Sequence, residues 1–172
     1  MAADASGLVD LAALTALFEQ AIPFNRHLGL RVDALARGRV AIRQPFGPHL
    51  IGDPTRPALH GGVIATLADT AGGLAVFTRT EPGDRVATID LRVDYLLPGR
   101  GADLVARAEV LRLGNRVGVS SIEVVHPDEP DRLVAVAKGV YTVKRAAESG
   151  GPGPGEGPGA AAFCVGGPGA PG

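Results

Sequence analysis

What this chain lacks narrows it before any motif is read. Its 172 residues contain a single cysteine, Cys164, so no intrachain disulfide can staple it, and a reducing, cytoplasmic setting is expected. The four histidines, His27, His49, His60 and His126, show no pairing at metal-ligand spacing, and one thiol makes no cluster; no metal and no resident cofactor are expected. No apolar run reaches the ~20 residues that span a bilayer. No lysine or arginine precedes the apolar stretch Leu8–Leu17, which makes it a poor signal peptide. Charge of one sign is missing as well. Lys and Arg number 17, Asp and Glu 18, the net charge is −1, and the signs are interspersed. Neither a basic nucleic-acid stripe nor an acidic tail is present.

The length suffices for one domain with a substantial core. Leu8, Leu11, Leu14, Leu17 and Phe18 recur at helical spacing and predict a helix ending near Ile22-Pro23, a cover packed on the domain. From Leu28 to Gln44 the period becomes two, with Leu30, Val32 and Ala34, then Val40 and Ile42, and Ala36-Arg37-Gly38 as the turn. Pro45 to Leu59 carries four prolines and two glycines and reads as an irregular connection of the kind that walls a site. A helix over Gly61 to Thr78 follows, closed by the turn Glu81-Pro82-Gly83-Asp84. Four strands are then predicted: Val86–Leu97, Asp103–Leu113, Arg116–His126 and Arg132–Val143. In the first, Ala87, Ile89, Leu91, Val93, Tyr95 and Leu97 share one face, and Thr88, Asp90, Arg92 and Asp94 the other. Gly114-Asn115 is a hairpin signal. From Gly150 to Gly172, 15 of 23 residues are Gly or Pro, a composition that predicts disorder. The order of elements predicts an α+β fold, one antiparallel sheet curled round one buried helix. An N-terminal helical segment covers 1–24, the domain 25–145 and the tail 146–172.

The chain is organised round His60-Gly61-Gly62-Val63-Ile64-Ala65-Thr66-Leu67-Ala68-Asp69-Thr70-Ala71. Apolar residues fall on every face of this helix, and Asp69 is the one ionisable group inside it. A carboxylate there needs a partner or a purpose. His60 and Asp69 are nine residues apart, which in a helix is about half a turn out of phase and about 13 Å along the axis. One copy cannot aim both at one bond, whereas a two-fold dimer with two shared sites can. The other reading is structural: His60 caps the helix and Asp69 is a hydrogen-bonded core acid. Gly72-Gly73 lets another backbone approach, and the sheet wrapping the helix is the expected neighbour rather than a dimer partner.

Pro57-Ala58-Leu59-His60-Gly61-Gly62 followed by Leu67-Ala68-Asp69-Thr70-Ala71 resembles the hot-dog-fold thioesterases, specifically the PaaI-like acyl-CoA thioesterase family. Thr88-Ile89-Asp90-Leu91-Arg92-Val93-Asp94-Tyr95-Leu96-Leu97-Pro98 is similar to that family's next strand, and Leu113-Gly114-Asn115-Arg116-Val117-Gly118 to its following hairpin. The resemblance covers about residues 25–143. It implies a homodimer or homotetramer that hydrolyses acyl-CoA thioesters, aromatic or medium-chain, with coenzyme A entering only as part of the substrate. In that family Asp69 matches the general base or nucleophile, the amides of Gly61 and Gly62 the oxyanion site, and His60 the residue that orients the thioester or departing thiolate. Thr88 matches a hydroxyl that holds the water, and Asn115, Arg116 and Gly118 the coenzyme A contacts.

Two departures stand out. Where many relatives carry Asn or Gln, about six residues before the histidine, this chain has Pro54, beside Gly52 and Asp53. Strand alternation also sets Thr88 away from the apolar face, so it faces a neighbouring subunit unless a bulge redirects it. The floor of the pocket is expected from the Ile51–Leu59 loop together with Leu74 and Phe77. A dehydratase of the same fold would use motifs that this chain lacks. A non-catalytic acyl-CoA binder or sensor, and a domain with no small-molecule site, are the remaining readings.

Overall fold

The chain first builds a short apolar cover. In the computed structural model, which describes residues 11–146, helix α1 (Leu11–Ala16) runs into a π-helical turn (Leu17–Ala21) and then helix α2 (Pro23–Leu28). Pro23 therefore starts a helix as well as ending one. Ile22 is extended, and Pro23 takes the first helical position, where its missing N–H costs nothing. Leu14 and Phe18 are buried and belong to the same hydrophobic core as the rest of the chain. The tail expected over 146–172 lies, but for Ala146, outside the described residues, as do Cys164 and the first ten residues.

Two strands follow, β1 (Arg31–Ala36) and β2 (Arg39–Gln44), joined through Gly38 at φ 77°. A register shift between Val32 and Ala34 changes the phase of β1, so Leu35 rather than Ala34 packs on the core with Val32. The proline-rich connection is less irregular than its composition predicts. It holds a 3-10 turn (Pro48–Leu50) and a small two-stranded ribbon of β3 (Ile51–Asp53) and β4 (Ala58–Leu59).

Helix α3 (Gly61–Phe77) comes next, and then β5 (Arg85–Tyr95), β6 (Leu104–Leu113), β7 (Val117–His126) and β8 (Glu129–Lys144). The six long strands form one antiparallel sheet in the order β1-β2-β6-β7-β8-β5. It wraps α3, which touches β2, β5, β6, β7 and β8. Ile64, Leu67, Ala68, Ala71, Leu74, Ala75 and Val76 of α3 are buried there, as expected of a helix apolar on every face.

The glycine pair inside α3 is explained by the sheet. A side chain at Gly72 would collide with the Tyr141 hydroxyl of β8, and would stand 2.7 Å from Ser120 Oγ of β7. Two strands thus press against the helix where it has no Cβ.

Strand β5 departs from simple alternation. Thr88 pairs with Tyr141, but Asp90 pairs with Val140, so Ile89 is an extra residue with no partner on β8. The bulge reverses the phase of the strand. Val86 packs on the core before it, and Leu91 and Val93 after it. Ala87 and Ile89 are exposed, contrary to the single face expected for Ala87 through Leu97. β5 is also an edge of the sheet, and its apolar Ile89 and Tyr95 are 59% and 52% exposed. Among the described residues no helix is long and apolar enough to cross a membrane.

Candidate active site

The first half of the site is the start of α3. His60 is its N-cap, in extended conformation, and its Nδ1 accepts a 2.9 Å hydrogen bond from the Gly62 N–H. An imidazole that accepts at Nδ1 while neutral carries its proton on Nε2. The Gly62 amide is therefore occupied within the chain. Gly61, the first helical residue, has an N–H that no helical carbonyl can reach, and its carbonyl accepts from the Tyr95 hydroxyl at 3.0 Å. The preceding loop is tied to this end: the His60 N–H reaches Leu50 O at 2.9 Å, and a Cβ on Gly52 would stand 2.7 Å from His60 Cα. Asp53 is engaged by the Thr55 hydroxyl and amide and by Arg56. Those bonds, the Thr55 hydroxyl foremost, hold its carboxyl far below the usual range.

The second half lies two turns further on. Thr88 Oγ1 donates a 2.9 Å hydrogen bond to Asp69 Oδ1. The bulge at Ile89 is what brings Thr88 to the helix side of β5 within its own chain, so no neighbouring subunit is needed to use it. The Tyr141 hydroxyl donates to the Asp69 carbonyl at 3.1 Å. Burial, together with the nearby Asp69 carboxylate, pushes that phenol well above its ordinary value, so it stays a donor. Tyr141 carries no motif, which is why the sequence reading missed it. Its signal is the glycine pair whose space it fills.

Asp69, Thr88 and Tyr141 line one side of a cavity of about 520 Å³. Leu74 and Phe77 line it as expected. The Ile51–Leu59 loop does not; that wall comes from Leu14, Leu17, Phe18 and Ile22 of the N-terminal segment. His60, Gly61 and Gly62 are not part of this cavity. The chain brings Asp69 and Thr88 together at the middle of α3 and leaves His60 and Gly61 at its N-terminus, in agreement with the nine-residue spacing.

Comparison with known proteins fits this arrangement. The sequence pattern of the thioesterase superfamily matches residues 57–135, the span from the ribbon before His60 into β8. The chain is 36% identical over 140 residues to the medium/long-chain acyl-CoA thioesterase YigI of Salmonella typhimurium, covering 74% of this chain and 89% of that one. It belongs to the thioesterase superfamily. A Halobacterium salinarum protein with a provisional name as an esterase is 44% identical over 125 residues, 69% of this chain and 82% of its own. The crystal structure of a Haemophilus influenzae thioesterase superimposes with a TM-score of 0.71 at 26% identity, covering 83% of this chain and 96% of that one. The sheet wrapped round one helix is thus the hot-dog fold, and the protein is a thioester hydrolase.

In this thioesterase the coenzyme A residues expected from the hairpin divide into two kinds. Asn115 and Arg116 are exposed in the connection between β6 and β7, which spans three residues, Gly114 to Arg116, rather than the two expected. The Asn115 carbonyl accepts from Arg145 Nε at 3.1 Å, and the Arg116 carbonyl from the Val143 N–H at 2.8 Å. Gly118 is buried, and a Cβ there would stand 2.6 Å from Val76 Cγ1, so its place in the sequence has a packing reason. Among the described residues no cluster of three His, Cys, Asp or Glu side chains could hold a metal ion.

Proposed function

We propose that this protein is an acyl-CoA thioesterase whose two identical sites are each shared by two copies of the chain. The observation that carries the proposal is Asp69, held on one oxygen by Thr88 at the side of an apolar cavity. Among the described residues no partner engages Oδ2, the oxygen left to act. It takes a proton from a water that attacks the thioester carbonyl, or attacks that carbonyl itself. The carbon–sulfur bond then breaks and coenzyme A departs as its thiolate; in the second case a water then cleaves the acyl-aspartyl anhydride, and in both the acid is released, Asp69 is regenerated and the proton from that water goes to sulfur. The name of the YigI relative supports a coenzyme A ester with an aliphatic acyl group.

The oxyanion needs donors that point at it without rearrangement. The Gly61 N–H at the positive end of α3, without a partner among the described residues, is one, and His60 Nε2–H, oriented by the Gly62 amide, is a second. Gly62 thus acts through His60 rather than on the carbonyl. The exposure of Arg116 and Asn115 supports a role in meeting the phosphates of coenzyme A, with Gly118 setting the hairpin against α3.

Two struts between β5 and α3 support the dimer. Thr88 reaches Asp69, and Tyr95 reaches Gly61. β5 is an exposed edge, and edges invite pairing. Antiparallel pairing of β5 with its copy, about an axis between Leu91 and Arg92, sets Thr88 opposite the partner's Tyr95. Asp69 then meets the oxyanion donors of the partner subunit's α3. A further pairing of dimers into a tetramer, in the cytoplasm, belongs to the same reading.

The test is thiol release from a panel of aromatic and aliphatic acyl-CoAs by wild type and Asp69→Asn. Wild type turns over, and the variant keeps its circular dichroism but loses turnover. Hydrolysis by the variant at the wild-type rate removes the mechanism. Binding without hydrolysis of any ester makes the protein a non-catalytic acyl-CoA binder.

A further inference from the structure

One wall of the cavity beside Asp69 has no role in the mechanism above. Leu14, Leu17 and Phe18 of the N-terminal segment face Leu74 and Phe77 of α3 and Val86 of β5. We propose that this segment is the acyl-length gauge of the enzyme. The acyl chain of the thioester lies between it and α3, and the side chains at 14, 17 and 18 decide how long a chain is accepted. The proposal rests on the thioesterase reading.

Three observations carry it. The α3 residues in the lining, Asp69, Thr70, Gly73, Leu74 and Phe77, form one helical stripe. It runs about 12 Å from the carboxylate to the last turn. A thioester carbonyl held at Asp69 thus has an apolar track leading away from it.

Most polar groups on that track are already engaged; the exception is Arg85, exposed at the far end. Asn25 Nδ2 donates to Phe18 O at 3.0 Å, Thr70 Oγ1 to Thr66 O at 2.6 Å and Tyr141 to Asp69 O. Asp84 at the far end is locked with Arg145 at 2.7 Å. A hydroxyl or carboxyl on the part of the acyl group between Asp69 and Phe77 would be buried there without a partner, at a cost in desolvation. The occupant is a plain hydrocarbon chain.

Size separates a chain from a ring. An apolar cavity of about 150 Å³ suffices for benzene, and this one is about 520 Å³. A single aromatic ring would leave most of the wall untouched, whereas a medium to long alkyl chain fills it.

The experiment is kcat/KM for straight-chain acyl-CoAs from butanoyl to palmitoyl, with benzoyl-CoA for comparison. Wild type, Leu17→Trp and Phe18→Ala are measured side by side. In wild type the value rises by up to about fourfold per buried methylene and exceeds that for benzoyl-CoA. Leu17→Trp fills the cavity and moves the optimum to shorter chains; Phe18→Ala opens it and moves the optimum to longer ones. A merely structural role scales every substrate by the same factor, so unchanged ratios between long and short chains overturn the proposal, as does a preference for the aromatic ester. Calorimetric binding of the same series to Asp69→Asn reads the cavity without turnover. Binding that lengthens with the chain and responds to Leu17→Trp keeps the gauge even if hydrolysis fails; binding indifferent to chain length removes it.

Discussion

Thr88 Oγ1 stands 2.9 Å from Asp69 Oδ1 because Ile89 is inserted in β5 without a partner on β8. One extra residue turns the threonine from the solvent face of the strand to the helix side. The contact joins the sheet edge to the only acid of α3, and it leaves the second carboxylate oxygen without a partner among the described residues. The bulge is therefore part of the candidate site, in keeping with the tendency of bulges to lie beside functional residues.

Thr88→Val should lower kcat by about tenfold with little change in KM. A hydrogen bond to a charged group is worth about 1.5–3 kcal/mol, and only the part that holds Asp69 in its reacting orientation appears in the rate. Thr88→Ser should recover most of the loss. Steady-state kinetics on a good acyl-CoA substrate checks both; a KM effect alone would mean that Thr88 contacts substrate instead.

Ile89→Lys places a charge in the middle of the exposed β5 edge, a known way of blocking edge pairing. The side chain is 59% exposed in the single chain, so the fold should tolerate it. Sedimentation should show a monomer, and turnover should fall with it because Asp69 loses the oxyanion donors of the partner subunit. A monomer that retains full activity would mean that one chain holds a complete site.

Gly72→Ala should destabilise the protein, by about 1–3 kcal/mol. This is opposite to the helix-propensity expectation, in which alanine replacing glycine stabilises by about 1 kcal/mol. The added methyl meets the Tyr141 and Ser120 hydroxyls, and Tyr141 cannot retreat without dropping the Asp69 carbonyl. Thermal unfolding measures the sign. Combining Gly72→Ala with Tyr141→Phe should relieve part of the cost, since the clash lies at the hydroxyl.

Acid lability should trace in part to Asp84. Its side chain is 3% exposed and bonded to Arg145 at 2.7 Å, and it accepts from the N–H groups of Glu81 and Ala146 at 3.0 Å each. Burial works to raise its pKa, but the Glu81 amide, Arg145 and the Ala146 amide together bring it below the ordinary value. The folded state therefore binds fewer protons than the unfolded state at this site. The stabilisation is fully present above the unfolded carboxylate pKa of about 3.9 and is lost as pH falls through the lower, folded value. Asp84→Asn should lower stability at neutral pH and flatten the fall in stability below about pH 4, as read by urea unfolding at several pH values.

Periodicity and turn residues alone located α3 to within one residue of its end, the three strands after β5 and the turn at Gly38, because each is a local pattern that burial enforces. The His60–Asp69 spacing also placed the two residues on opposite faces of one helix at different heights, since a helix leaves no freedom in that relation. Other features were beyond local pattern. Composition marked Pro45–Leu59 as irregular, but the β3–β4 ribbon depends on pairing across the four residues Pro54 to Pro57. Alternation put Thr88 on the wrong face because a bulge is set by register with β8, through the Tyr141 and Val140 pairs, and not by anything in Thr88-Ile89-Asp90 itself. Pro23 read as an end and proved to be a new start as well.

The sequence by itself determined one sheet round one buried helix, and it determined that helix's lone acid and capping histidine, for those depend on spacing along the chain. Only the tertiary structure decided that Thr88 serves Asp69, that Tyr141 fills the space of Gly72, and that Leu14 and Phe18 wall the cavity. Each of these joins residues far apart in the chain, and what joins them is strand register and the packing of separate elements on one core.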